Sequence, residues 1–80
     1  STIDSPEVLY GLRNSIVVKN NSECEYACVK EGIKIYEVSD EAWISYADEC
    51  GNMEFTGLNT DAKYTVYVRS IESPSIFSSI

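Results

Sequence analysis

Residues 55–69 read Phe55-Thr56-Gly57-Leu58-Asn59-Thr60-Asp61-Ala62-Lys63-Tyr64-Thr65-Val66-Tyr67-Val68-Arg69, and their second half opens the clearest strand in the chain. Successive side chains of a strand point to opposite faces. From Lys63 to Ile71, Tyr64, Val66 and Val68 therefore share one face, with Thr65, Tyr67 and Arg69 on the other. The more apolar face is read as the inner one. Just upstream, Met53 to Thr56 makes a shorter strand with Met53 and Phe55 on one face. Just downstream, Ser73-Pro74-Ser75 turns the chain into a last strand over 76–80.

The same alternation recurs toward the N-terminus. Glu23 to Val29 sets Cys24, Tyr26 and Cys28 against Glu25, Ala27 and Val29. Lys30-Glu31-Gly32 is a turn, and Ile33 to Val38 resumes the alternation, so the pair reads as a hairpin. Ser15 to Lys19 is β-branched, with Ile16 and Val18 on one face. It is followed by a turn at Asn20-Asn21-Ser22, which is also a glycosylation sequon in a eukaryotic secretory setting. Glu7 to Tyr10 reads as an edge strand, closed by turn residues from Gly11 to Asn14. Residues 39–51 read as irregular. Ser39 or Asp40 could cap a helical turn running through Ala47, or Trp43-Ile44-Ser45-Tyr46 could be a short strand. No internal repeat stands out.

Strands near 7–10, 15–19, 24–29, 33–38, 53–56, 63–71 and 76–80, with no convincing long helix, predict an all-β sandwich of two sheets. The expected core is Val8, Ile16, Val18, Tyr26, Cys28, Phe55, Leu58, Tyr64, Val66 and Val68. The polar Ser1–Ser5 reads as a linker remnant, as if the chain were cut from something longer, and 6–80 as a single domain.

Composition narrows the function. The 80 residues carry 13 acids, 6 bases and no histidine, for a net charge of −7. The bases Arg13, Lys19, Lys30, Lys34, Lys63 and Arg69 are scattered singly, which speaks against nucleic acid and against anionic membrane surfaces. No apolar run approaches the ~20 residues of a membrane span. Acids are denser over Glu37, Asp40, Glu41, Asp48, Glu49 and Glu54, but without the Asp-x-Asp-x-Asp-Gly spacing of a calcium loop; a solvated acidic face is the expectation.

Three cysteines without histidine make a poor zinc set and give a thiol nucleophile no general base. On one strand Cys24 and Cys28 stand ~13 Å apart, beyond the ~7 Å limit for a disulfide. Pairing of Cys50 with Cys24, pairing of Cys50 with Cys28, and three free thiols acting as small hydrophobes remain open. No catalytic residue, cofactor or metal set is read, so the chain is not expected to be an enzyme.

Residues 55–69 resemble the passage from strand E to strand F of a fibronectin type III domain. There a leucine precedes by six positions the tyrosine that opens strand F, the spacing of Leu58 and Tyr64. The resemblance is closest to the short fibronectin-like repeats of Gram-positive bacterial surface and secreted proteins. Their Phe-x-Gly-Leu and Tyr-x-Val-Tyr-x-Arg pattern is matched by Phe55, Gly57, Leu58, Tyr64, Val66, Tyr67 and Arg69. Pro6 fits the proline before the first strand, and Glu25 with Tyr26 fits the Glu-Tyr pair of the third. The chain departs from the pattern in having Thr60 where a proline is usual, no tryptophan on the second strand, a longer 33–51 stretch, and no Arg-Gly-Asp.

The resemblance implies an immunoglobulin-like sandwich of about seven strands with fibronectin type III-like topology. It further implies a non-catalytic spacer or interaction module in a larger secreted or cell-surface bacterial protein, monomeric when isolated. Its partners would be neighbouring domains, polysaccharide or another surface protein. The alternative is a carbohydrate-binding module using exposed aromatics. Trp43, with Tyr67 and Arg69 on the outer face of strand F, is the candidate ligand surface; Arg69 stacking on Tyr67 is the competing, purely structural use of that face.

Overall fold

The computed structural model describes residues 3–11, 13–21, 23–45 and 51–79. The longest ladder joins the two clearest alternating segments, and not the hairpin expected between 24–29 and 33–38. Strand β3 (Cys24–Lys30) pairs antiparallel with β5 (Tyr64–Ser70), with Tyr26 opposite Val68 and Cys28 opposite Val66. Strand β6 (Phe77–Ser79) completes this sheet on the far side of β5. The second sheet has β1 (Val8–Gly11) and β4 (Asn52–Phe55) flanking β2 (Ile16–Lys19), again antiparallel. The two three-stranded sheets, ordered β1-β2-β4 and β3-β5-β6, share one core.

That core is built from the predicted inner faces. Val18 of β2 and Met53 and Phe55 of β4 form one cluster with Cys24 and Tyr26 of β3 and Val66 and Val68 of β5. Ile3, Ile16, Cys28, Ile44 and Leu58 pack around it. Val18 and Met53 are sealed from solvent, and burial of such side chains stabilises by ~1.5–3 kcal/mol each. Cys24 and Cys28 are free thiols, while Cys50 lies outside the described residues.

Two corners anchor the β3–β5 pair, and they are built alike. In Asn59-Thr60-Asp61-Ala62-Lys63-Tyr64 the Asn59 N–H donates to the Tyr64 hydroxyl (2.8 Å), Asp61 N–H to Asn59 Oδ1 (2.9 Å) and Ala62 N–H to the Asn59 carbonyl (3.2 Å). In Asn21-Ser22-Glu23-Cys24-Glu25-Tyr26 the Asn21 N–H donates to the Tyr26 hydroxyl (3.0 Å), Glu23 N–H to Asn21 Oδ1 (3.0 Å) and Cys24 N–H to the Asn21 carbonyl (2.9 Å). Each asparagine side chain shapes the turn as an Asx turn does, and each tyrosine fastens the turn to its strand. Because the strands are antiparallel, the corners sit at opposite ends of the sheet. Gly57, at φ 71°, supplies the left-handed residue just before the Leu58–Tyr64 passage.

Three expectations are corrected. Residues 33–38 are not a strand. After Gly32 (φ 100°) they form a 3-10 turn over Ile35–Glu37, and a second follows over Asp40–Ala42. The cause is local bonding: the Glu37 carboxylate accepts the Lys34 N–H at 2.9 Å, and the Glu37 N–H returns to the Lys34 carbonyl at 2.9 Å. These bonds take up backbone groups a ladder would need. Among the described residues there are thus six strands, with a single extra bridge between Tyr26 and Ile44 on the free edge of β3. Val8 is not a core residue. It is 38% exposed, because β1 is an edge strand whose register shifts between Val8 and Tyr10. Tyr64, Ile16, Cys28 and Leu58 are half-buried at the rim of the core instead of within it, and Met53, Cys24, Ala27 and Val17 are buried in addition.

Candidate functional site

Trp43, Tyr67 and Arg69 are scattered over 27 positions of sequence, and the fold gathers them on the outer face of the β3–β5–β6 sheet. Tyr67 and Arg69 alternate with the buried Val66 and Val68, so both leave the core side of β5. Trp43 arrives by a different route. Ile44 exchanges two backbone hydrogen bonds of 2.8 Å with Tyr26, and its side chain packs against the core. With a two-residue period, the preceding Trp43 falls on the opposite, outer side of the sheet.

There the three side chains fasten residues 33–45 as a strap. The Arg69 guanidinium carbon lies 4.1 Å from the centre of the Trp43 ring, a cation–π contact. Its Nε bonds the Glu25 carboxylate, and Glu25 is the residue directly opposite Arg69 in the ladder. Its Nη2 lies 4.0 Å from Asp40 Oδ1, on a side chain almost wholly in solvent. The Tyr67 hydroxyl donates to the Ile33 carbonyl at 2.7 Å. Arg69 therefore stacks on Trp43, and Tyr67 is occupied elsewhere on the same strap. Trp43 is only 8% exposed, and its Nε1 meets no acceptor among the described residues. Ala27, on the same outer face, is fully buried.

Glu25 was not legible as a partner of Arg69 in the sequence, because the pairing of β3 with β5 and its register, Tyr26 opposite Val68, are what place the two face to face. The placement of Trp43 was not legible either, because it depends on one bridge at Ile44.

The remaining reactive groups sit in unreactive surroundings. Burial pushes the Cys28 thiol up to about 11, and burial followed by the nearby Glu23 charge raises that of Cys24. Neither supplies thiolate near neutral pH. Burial likewise raises the Tyr26 hydroxyl, partly offset by its bond from Asn21. Glu37, Asp40, Glu41 and Glu54 are exposed, Asp48 and Glu49 lie outside the described residues, and among those described no three acid or cysteine side chains gather as a metal-holding group.

No family model, curated protein or solved structure matches the chain. What the geometry offers is a clamped surface. The Arg69 charge is matched by Glu25, its flat face is covered by Trp43, and the Tyr67 hydroxyl is committed to backbone.

Proposed function

We propose that the chain is a non-catalytic spacer or interaction module of a larger secreted or cell-surface protein, built as a fibronectin type III-like sandwich. In that reading β1, β2 and β4 correspond to strands A, B and E, and β3, β5 and β6 to C, F and G. The grouping agrees with the immunoglobulin-type division of strands between sheets. The Tyr64 hydroxyl, held at the entrance of β5 by the Asn59 N–H, has the character of a tyrosine corner. The Tyr26–Ile44 bridge lies where a seventh strand would flank strand C. An extracellular, bacterial setting follows from the same resemblance.

The observation that favours a spacer or interaction module over a carbohydrate-binding module is the state of Trp43. A sugar platform needs an aromatic face open to solvent, whereas this one is 8% exposed and lies under Arg69. Calorimetric titration with wall and plant polysaccharides tests the reading, with no saturable heat expected. Saturable binding lost in Trp43→Ala, with the circular dichroism of the variant unchanged, would overturn it in favour of a carbohydrate-binding module. The parent gene tests the setting: an export signal and flanking domains are expected there.

A further inference from the structure

Away from the strap, three hollows open at the end of the sandwich where the Asn21 corner meets the β5–β6 connection. Their volumes are about 280, 290 and 490 Å³. They adjoin. Ile3, Asp4, Asn21 and Cys24 line both the first and the second, and Glu23 and Ser70 line both the second and the third. Each hollow opens to solvent, and the shared residues set the three side by side.

The groove that they make carries a few apolar side chains within a largely polar lining. Tyr26 and Val68 reach the first hollow from the core, Ile3 and Ile76 are half-buried in the second, and Ile71 is 46% exposed in the third. Its rim is acidic. Asp4, Glu7, Glu23 and Glu72 line it, against Lys19 as the one base among its lining residues. Four carboxylates to one ammonium beside these isoleucines is an electrostatic pattern with a definite complement.

We propose that this groove docks an extended segment of a partner protein in which lysine or arginine alternates with aliphatic residues. The two-residue period of an extended peptide places aliphatic side chains toward Ile3, Ile76 and Ile71 and cationic ones toward the carboxylates. Lysine and arginine suit it further, since their methylene stems cover apolar surface while their charged ends reach the carboxylates. The proposal rests on the reading of the chain as an interaction module, and adds to it the face used and the partner chemistry.

The test is a titration of the isotopically labelled protein with a six-residue peptide of alternating lysine and isoleucine, followed by amide chemical shifts. Saturable shifts at Glu23, Ile71 and Ile76 are expected, weakening as salt rises. A lysine–serine peptide should bind at least tenfold more weakly, and a glutamate–isoleucine peptide not at all. Glu23→Lys with Glu72→Lys should weaken binding at least tenfold, whereas Glu31→Lys with Glu41→Lys, the same charge change on exposed acids outside the groove, should not. Equal loss in the two double variants would reduce the effect to net charge and overturn the proposal. Shifts confined to residues 31–41, or no shifts from a folded protein, would overturn it as well. Either result leaves the module reading to its own polysaccharide titration, so the two failures are distinguishable.

Discussion

Tyr26 and Tyr64 make the same bond in different surroundings. Each hydroxyl accepts the N–H of an asparagine five residues earlier, but the Tyr26 bond is partly buried and the Tyr64 bond is exposed. A donor that water can reach loses little when its acceptor is removed, and a buried one loses more. Tyr26→Phe should therefore destabilise by ~1–2 kcal/mol and Tyr64→Phe by ~0.5–1 kcal/mol. Urea midpoints of the two variants check this, and the reverse order would contradict the burial argument. The Tyr64 corner was expected only through the resemblance, whose leucine-to-tyrosine spacing Leu58 and Tyr64 keep. The Asn21 corner is not legible in the same way: its Asn-Ser-Glu-x-x-Tyr string parallels Asn-Thr-Asp-x-x-Tyr, but so short a similarity carries meaning only once both strings prove to make the same three bonds.

At the scale of elements, alternation foretold strands except where local bonding took up the backbone. β3 and β5 satisfy each other along seven paired positions, and the choice of inner face at Val66 and Val68 follows from apolarity alone. Ile33 to Val38 alternates too, yet Glu37 turns back on Lys34 and the segment becomes a strap. Its hold on the sheet passes through Arg69, which touches Trp43, Glu25 and Asp40. Planarity matters to the stacking, so lysine is not an equivalent. Arg69→Lys should cost ~1 kcal/mol, chiefly through the lost ring contact. The chain has a single tryptophan, so its fluorescence reports Trp43 alone. Arg69→Ser should shift the emission to the red and speed hydrogen exchange at Ile44, while β5 amides keep their protection. An unchanged emission maximum would show that Arg69 does not hold the strap down.

For the whole molecule, the thin core makes the half-buried thiol of Cys28 a lever on stability. Cys28 packs against the cluster shared by both sheets, and burial raises its thiol from 9.0 to about 11. In the unfolded chain the thiol ionises first, near 9, while the folded protein still holds its proton. The unfolded state therefore binds fewer protons between pH 9 and about 11, and stability falls as pH rises through that window. Below the unfolded value both states are protonated and the contribution is fully present. The wild-type curve alone does not isolate the contribution of one thiol. Its difference from Cys28→Ala does, because every other group is common to both. The variant should be less stable near pH 8, through lost packing, with the gap narrowing steadily toward pH 11 as the wild type loses its thiol contribution. Urea midpoints at intervals across this range measure the gap. Parallel curves would mean that the Cys28 thiol is as well solvated in the folded protein as in the unfolded chain, and that the core is open at that side.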